Sequence, residues 1–218
     1  MVWGLVADGG PEKILKFLDE TGKNTPVLFV GASTHIDFGS IIRQIRRHNP
    51  NCEITFSDKH ESILIMREEF VQDGVKFEQM NILETPDEEP FWDCVVAFGL
   101  FSPSVLRENE SEIALENIIK ITKDKGFITI STHERNALNF EKMLVNFNHL
   151  LTYEKWSGYA SHVPGKHQFI RGWKQPNPAT GHYYRGYEEY DRGLDAYKAY
   201  LEKEGDRRTN FYITKSNN

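Results

Sequence analysis

Long apolar runs are missing from this 218-residue sequence. None reaches the roughly 18 consecutive apolar residues that a membrane-spanning helix needs. The N-terminus has no basic region followed by an apolar stretch, so no secretory signal is expected. Cysteine is scarce: only Cys52 and Cys94 occur, both in apolar, strand-like runs. Two such thiols cannot build a disulfide framework and read as buried thiols of a reducing compartment, which makes the cytoplasm the expected location. A clear excess of positive charge is absent as well. The net charge is −6; residues 1–150 hold 15 Lys+Arg against 24 Asp+Glu, and residues 151–218 hold 11 against 8. An acidic body with a mildly basic tail argues against general nucleic-acid binding, which needs a basic stripe. Internal repeats and low-complexity tracts are absent too.

Several chemical signatures are also missing. A G-x-G-x-x-G fingerprint, a G-x-x-x-x-G-K-[ST] phosphate loop and a G-x-S-x-G nucleophile elbow do not occur. Dinucleotide oxidoreduction, phosphate transfer and serine-nucleophile hydrolysis therefore lack their usual sequence basis. His162, His167 and His182 match no closed tetrahedral spacing and are joined by no cysteine ligand, so no metal is expected.

What the sequence does contain is an alternation of apolar runs and helical stripes. Pro11 opens a helix carrying Ile14, Leu15, Phe17 and Leu18. The fully apolar Pro26–Val30 predicts a buried parallel strand. A helix follows with Ile41, Ile42 and Ile45 inward and Arg43, Arg46 and Arg47 outward, ending at Asn49-Pro50. Strands are predicted at 53–57, 75–79, 93–98 and 127–131. Further helices are predicted at 63–71, at 108–123 on Ile113, Leu115, Ile118, Ile119 and Ile121, and at 136–147. Two last strands are expected at 150–156 and 210–214, with a helical stretch at 188–204 between them. This pattern predicts a doubly wound, mostly parallel α/β sheet of seven strands, helices on both faces and an antiparallel last strand. Residues 1–156 and 205–218 form the expected Rossmann-like domain, and 157–204 an insertion between the last two strands.

Ligands of such sheets bind at the carboxyl ends of the strands. Gly31, Ala32 and Ser33 follow the first strand, where a glycine and small neighbours let a ligand approach the backbone. Asp58, next to Lys59, follows the second. Its carboxylate suits a ribose diol, and equally a helix N-cap with Glu61 three residues on. Asn81 and Ile82 follow the third, where an amide can read an adenine edge. Phe98, Gly99 and Phe101 follow the fourth. His133 follows the fifth and suits either a general base or an ordinary loop position. The segment 151–190 is rich in aromatics and Arg, the ingredients of a recognition surface. Within it Tyr159, His162 and Tyr183 are substrate-side candidates.

In order and spacing, these stretches resemble the class I S-adenosylmethionine-dependent methyltransferases. Val27–Thr34 resembles their first motif, Ile54–Ser62 the second strand with its ribose-binding acid, and Phe77–Ile82 the adenine-contacting stretch. Trp92–Gly99 resembles the fourth-strand motif, and Lys123–Ile130 the turn and fifth strand. The resemblance covers roughly residues 25–155. It implies S-adenosylmethionine as cofactor and methyl transfer to a small-molecule or peptide acceptor. It also implies cofactor contacts from Gly31, Ala32, Ser33, Asp58, Lys59, Asn81, Ile82, Phe98 and Gly99. The sequence departs from the family's pattern at Phe29, where an acid is usual, at Ser33, where a glycine is, and at Asp124, where a proline is. Trp3-Gly4 and the Val27–Phe56 stretch are also similar to an axonemal dynein assembly factor family with this type of fold. Two other expectations follow: a catalytically inactive binding or assembly module, or transfer of another arm of the same cofactor.

Overall fold

A computed structural model describes residues 10–21, 24–32, 38–65, 74–84, 89–98, 100–101, 105–159 and 207–216. The elements are α1 (Gly10–Thr21), β1 (Pro26–Val30), α2 (Phe38–His48), β2 (Glu53–Asp58), a short 3-10 turn (Glu61–Ile65) and β3 (Val75–Gln79). They continue with β4 (Trp92–Phe98), α3 (Glu108–Ile121), β5 (Thr122–His133), α4 (Glu134–Asn146), β6 (Leu151–Tyr159) and β7 (Arg207–Lys215). The strands form one seven-stranded sheet in the order β3-β2-β1-β4-β5-β7-β6. β7 runs antiparallel to both β5 and β6, and the other pairings are parallel. This is the predicted architecture. Of the helix expected at 63–71, the described part is the 3-10 turn. The helix expected at 188–204 lies outside the described residues.

β1 is buried at every position because both its faces are covered. Leu28 and Val30 face a core shared with Val95, Ile128, Phe211, Leu115 and Ile118, beneath α3 and α4. Val27 and Phe29 face the other core, with Ile54, Phe56, Phe77, Ile14, Leu18 and Ile41, beneath α1 and α2. An uninterrupted apolar run is what burial on both sides demands of a parallel strand. The second core is aromatic at its centre. The Phe56 ring lies 4.8 Å from Phe29, 4.7 Å from Phe38 and 5.3 Å from Phe77.

Three expectations need correction. Ile113 is 42 % exposed, while Ala114 and Asn117 are buried. The stripe of α3 is set by Leu115, Ile118 and Ile119, and a residue two positions before Leu115 points about 200° away from it. Arg46 is half-buried rather than outward, its guanidinium lying against Gly74. The last two strands reach beyond 150–156 and 210–214, with Tyr159 paired to Arg207 and Leu151 to Lys215. The expected turn at 123–126 is a local excursion inside β5. Trp92 pairs with Thr122 but Cys94 with Phe127, so four residues of β5 loop out against one of β4. Lys125 within it has a φ of +62°. Among the described residues, no helix is long and apolar enough to cross a membrane.

Both cysteines are buried. Burial pushes the Cys52 thiol up to about 12, and the Cys94 thiol well above its ordinary value. The thiols therefore keep their protons in the folded state after an unfolded chain has lost them. Stability falls as pH rises above about 9, by roughly 1.4 kcal/mol per pH unit for each thiol at its steepest. Alkylation at pH 8 is expected to label neither cysteine until the protein is unfolded. Phe56→Ala should cost about 3–5 kcal/mol in urea denaturation, because three aromatic neighbours lose one shared partner.

Candidate functional site

The chain runs outward from β1 to β2 and β3, then crosses back to β4 on the other side of β1. The order reverses between β1 and β4, the position at whose carboxyl ends sheets of this kind receive ligands. Gly31 stands at that point with a φ of +68°. The backbone there favours glycine, and a Cβ would lie a tight 3.2 Å from Leu100 Cδ1 beyond β4. The next residue, Ala32, is buried, and its N–H donates to the Ser57 carbonyl at 2.8 Å. Ser57 Oγ in turn donates to the Phe29 carbonyl at 3.1 Å. Ser33 lies outside the described residues.

Asp58 ends β2 and is half-buried. Its Oδ1 accepts from the His60 N–H at 2.9 Å, which closes the turn leading to the 3-10 segment. The other carboxylate oxygen accepts no hydrogen bond among the described residues. Both roles expected of Asp58 are thus compatible, one oxygen shaping the turn and one left for a ligand. Lys59 is exposed, and its carbonyl accepts from Gln79 Nε2 at 3.0 Å. The Met80 N–H donates to the Asp58 carbonyl at 2.9 Å. These two bonds tie the end of β3 to the end of β2.

Asn81 is half-buried and spends its amide on its own turn. Nδ2 donates to Glu84 Oε1 at 3.0 Å, and Oδ1 accepts from the Leu83 N–H at 3.3 Å. Ile82 is 6 % exposed and belongs to the core beneath α3. Phe98 closes β4, paired to Ser131, and only its backbone is described. Gly99 lies outside the described residues. Phe101 is 5 % exposed, with its ring 4.9 Å from Phe140 and its carbonyl accepting from Thr132 Oγ1 at 3.0 Å. That is a core position, in place of the substrate-facing one expected. His133 and Tyr159 end β5 and β6, paired with Arg208 and Arg207, and nothing further is described of their side chains. His162 and Tyr183 lie outside the described residues. The structure therefore brings together Gly31, Ala32, Asp58, Lys59, Asn81 and Ile82 along one edge.

One residue that the sequence reading passed over borders this edge. Asn117 of α3 is 2 % exposed and donates through Nδ2 to the carbonyls of Ile82, at 2.8 Å, and Glu84, at 3.3 Å. Its signal was a lone amide on the core-facing stripe of a helix. Phe29, which stands where the resembling family carries an acid, is 1 % exposed and packed on Phe56. Among the described residues, no group of three or more His, Cys, Asp or Glu could hold a metal ion.

No family model matches the chain, and no curated protein matches it. Solved structures do. Phosphoethanolamine N-methyltransferase 2 of Haemonchus contortus, in complex with phosphomonomethylethanolamine and S-adenosylhomocysteine, is 13 % identical with a TM-score of 0.62. The match covers 98 % of this chain and 54 % of that one, so this chain spans about half that protein's length. The N-methyltransferase NodS of Bradyrhizobium japonicum is 10 % identical with a TM-score of 0.56, over 95 % of this chain and 94 % of that one. The [4+2]-cyclase SpnF is 15 % identical with a TM-score of 0.59, over 98 % and 86 %. The chain has the fold of the class I S-adenosylmethionine-dependent methyltransferases.

Replacing Gly31 by alanine is expected to cost roughly 1–2 kcal/mol through the left-handed backbone alone. The double variant Gly31→Ala with Leu100→Ala should recover little of it, because relieving the contact leaves φ unchanged. Denaturant midpoints of the single and double variants check this.

Proposed function

We propose that the chain binds S-adenosylmethionine along the carboxyl ends of β1, β2 and β3, and catalyses methyl transfer to a small-molecule or peptide acceptor in the cytoplasm. The observation that carries this reading is the pairing of Gly31 with Asp58 across adjacent strand ends. Gly31 holds a left-handed backbone that favours glycine, and Asp58 keeps one carboxylate oxygen unengaged among the described residues. The residues present fit the adenosine half of the cofactor. Asp58 would accept from the ribose hydroxyls, and Asn81 with Ile82 would flank the base. Gly31, Ala32 and Ser33 would line the methionine side, with Lys59, Phe98 and Gly99 at its margins.

When bound, the cofactor supplies a methyl group already activated on a positively charged sulfur. The chain's own residues then need to orient the acceptor and exclude water. A dedicated proton acceptor is optional in this scheme. His133 at the end of β5 is the candidate where an acceptor must lose a proton. Tyr159, His162 and Tyr183 are substrate-side candidates, and Phe101 supports the site from the core.

A second reading has an observation of its own. Phe29 replaces the family's acid with a ring locked in the aromatic core, which favours a methyltransferase-like module that binds or assembles without catalysis. Transfer of another arm of the same cofactor is separable from methyl transfer by product mass.

Calorimetric titration with S-adenosylmethionine and S-adenosylhomocysteine tests the cofactor site. Micromolar binding is expected, weakened by about 1.5–3 kcal/mol in Asp58→Ala through loss of a charge-assisted hydrogen bond. No heat and no thermal shift at millimolar ligand would sink the enzyme reading and favour the binding module.

A further inference from the structure

We infer that Asn117 is a positioning residue that holds the β3-end turn in the shape that receives the purine base, an assignment that rests on the cofactor reading above. Asn117 is the buried polar side chain in a stripe otherwise made of Ala114, Leu115, Ile118, Ile119 and Ile121. An amide in that environment costs stability unless it is hydrogen-bonded, and a leucine there would pack without that demand. Its side-chain amide donates to one place, the Ile82 and Glu84 carbonyls of the turn that follows β3.

That turn is fixed from three sides. Asn81 closes it internally, with its carbonyl accepting from the Glu84 N–H at 3.0 Å and its side chain bonded to Leu83 and Glu84. The preceding Met80 N–H fastens it to Asp58, the ribose-side residue. Asn117 fastens it from the core, where no other polar side chain of the α3 stripe reaches it. Removing that anchor leaves two carbonyls without their buried donor, while Asp58, Gly31 and the sheet keep theirs. The effect should therefore fall on the base and spare the ribose and the amino-acid tail.

The test is Asn117→Leu, which keeps the branched shape of the side chain, adds some bulk and removes the donor. Two readouts are taken: amide exchange along the chain, and affinities for S-adenosylhomocysteine and for S-ribosylhomocysteine, which lacks the base. Exchange at Leu83 and Glu84 should speed up at least tenfold, with β1 and β2 unchanged after correction for global stability. Affinity for S-adenosylhomocysteine should fall about tenfold or more, with S-ribosylhomocysteine within twofold of wild type. Unchanged exchange in the turn overturns the anchoring role, whatever the ligands do. Equal losses for both ligands, or no loss for either, overturn the base-positioning role and leave Asn117 structural. A wild-type protein that binds neither ligand removes the cofactor reading and this role with it, even where exchange responds. If Asn117→Leu does not fold, Asn117→Ser carries the same comparison, since its hydroxyl is too short to span both carbonyls.

Discussion

The candidate site depends on β1 being paired along both edges and buried on both faces. Its hydrogen bonds run to β2 on one side and β4 on the other, and neither core can form without it. Because β1 is fixed in this way, the chain leaves it at a defined point. Gly31 follows directly, in a backbone conformation that most side chains disfavour and with Leu100 close beside it. The next amide returns to the Ser57 carbonyl. The rigidity of the strand and the permissiveness of the glycine are parts of one arrangement.

Phe29 shows how a core and a site compete for the same position. It lies two residues before Gly31 in the same strand, and its ring joins those of Phe56, Phe38 and Phe77. A carboxylate there would need a partner or water within a tightly packed aromatic face. The aromatic ring gives this half of the molecule dense packing and gives up a charged group near the end of β1. On the proposed cofactor reading, the ligand is held through Asp58 and the backbone rather than by a carboxylate on the first strand.

The strands, their order and the parallel character of the sheet were legible because buried parallel strands are apolar throughout and short. Pro26–Val30 and 93–98 carry that signal with little ambiguity, whereas 75–79 was read from its alternation of apolar and polar residues. The antiparallel β7 was legible through the family resemblance rather than through its own pattern. Side-chain direction on helices was read less well. Ile113 is apolar yet faces outward, since the stripe is set by the majority of its neighbours. Asn117 is polar yet faces inward, since its hydrogen-bond partners lie 35 and 33 residues away in sequence. At the site, Gly31 and Asp58 announced themselves by following strands. The engagement of Asn81 within its own turn and the burial of Phe101 depend on contacts that no local pattern encodes.

The placement of β7 between β5 and β6 has a consequence for how the chain must be made. Synthesis delivers β6 well before β7, yet β6 has no strand beside it in the finished sheet except β7. Until β7 emerges, the outer edge of β5 and the whole of β6 present unpaired N–H and C=O groups, as an incomplete sheet edge does. When β7 arrives it slots between them and bonds to both. Lys215 at its end is buried, donating to the Thr122 carbonyl at 2.8 Å with Asp124 at 3.4 Å. Two of the seven strands are thus assembled out of order, and the nascent protein carries adhesive edges that other chains can capture until β7 is inserted.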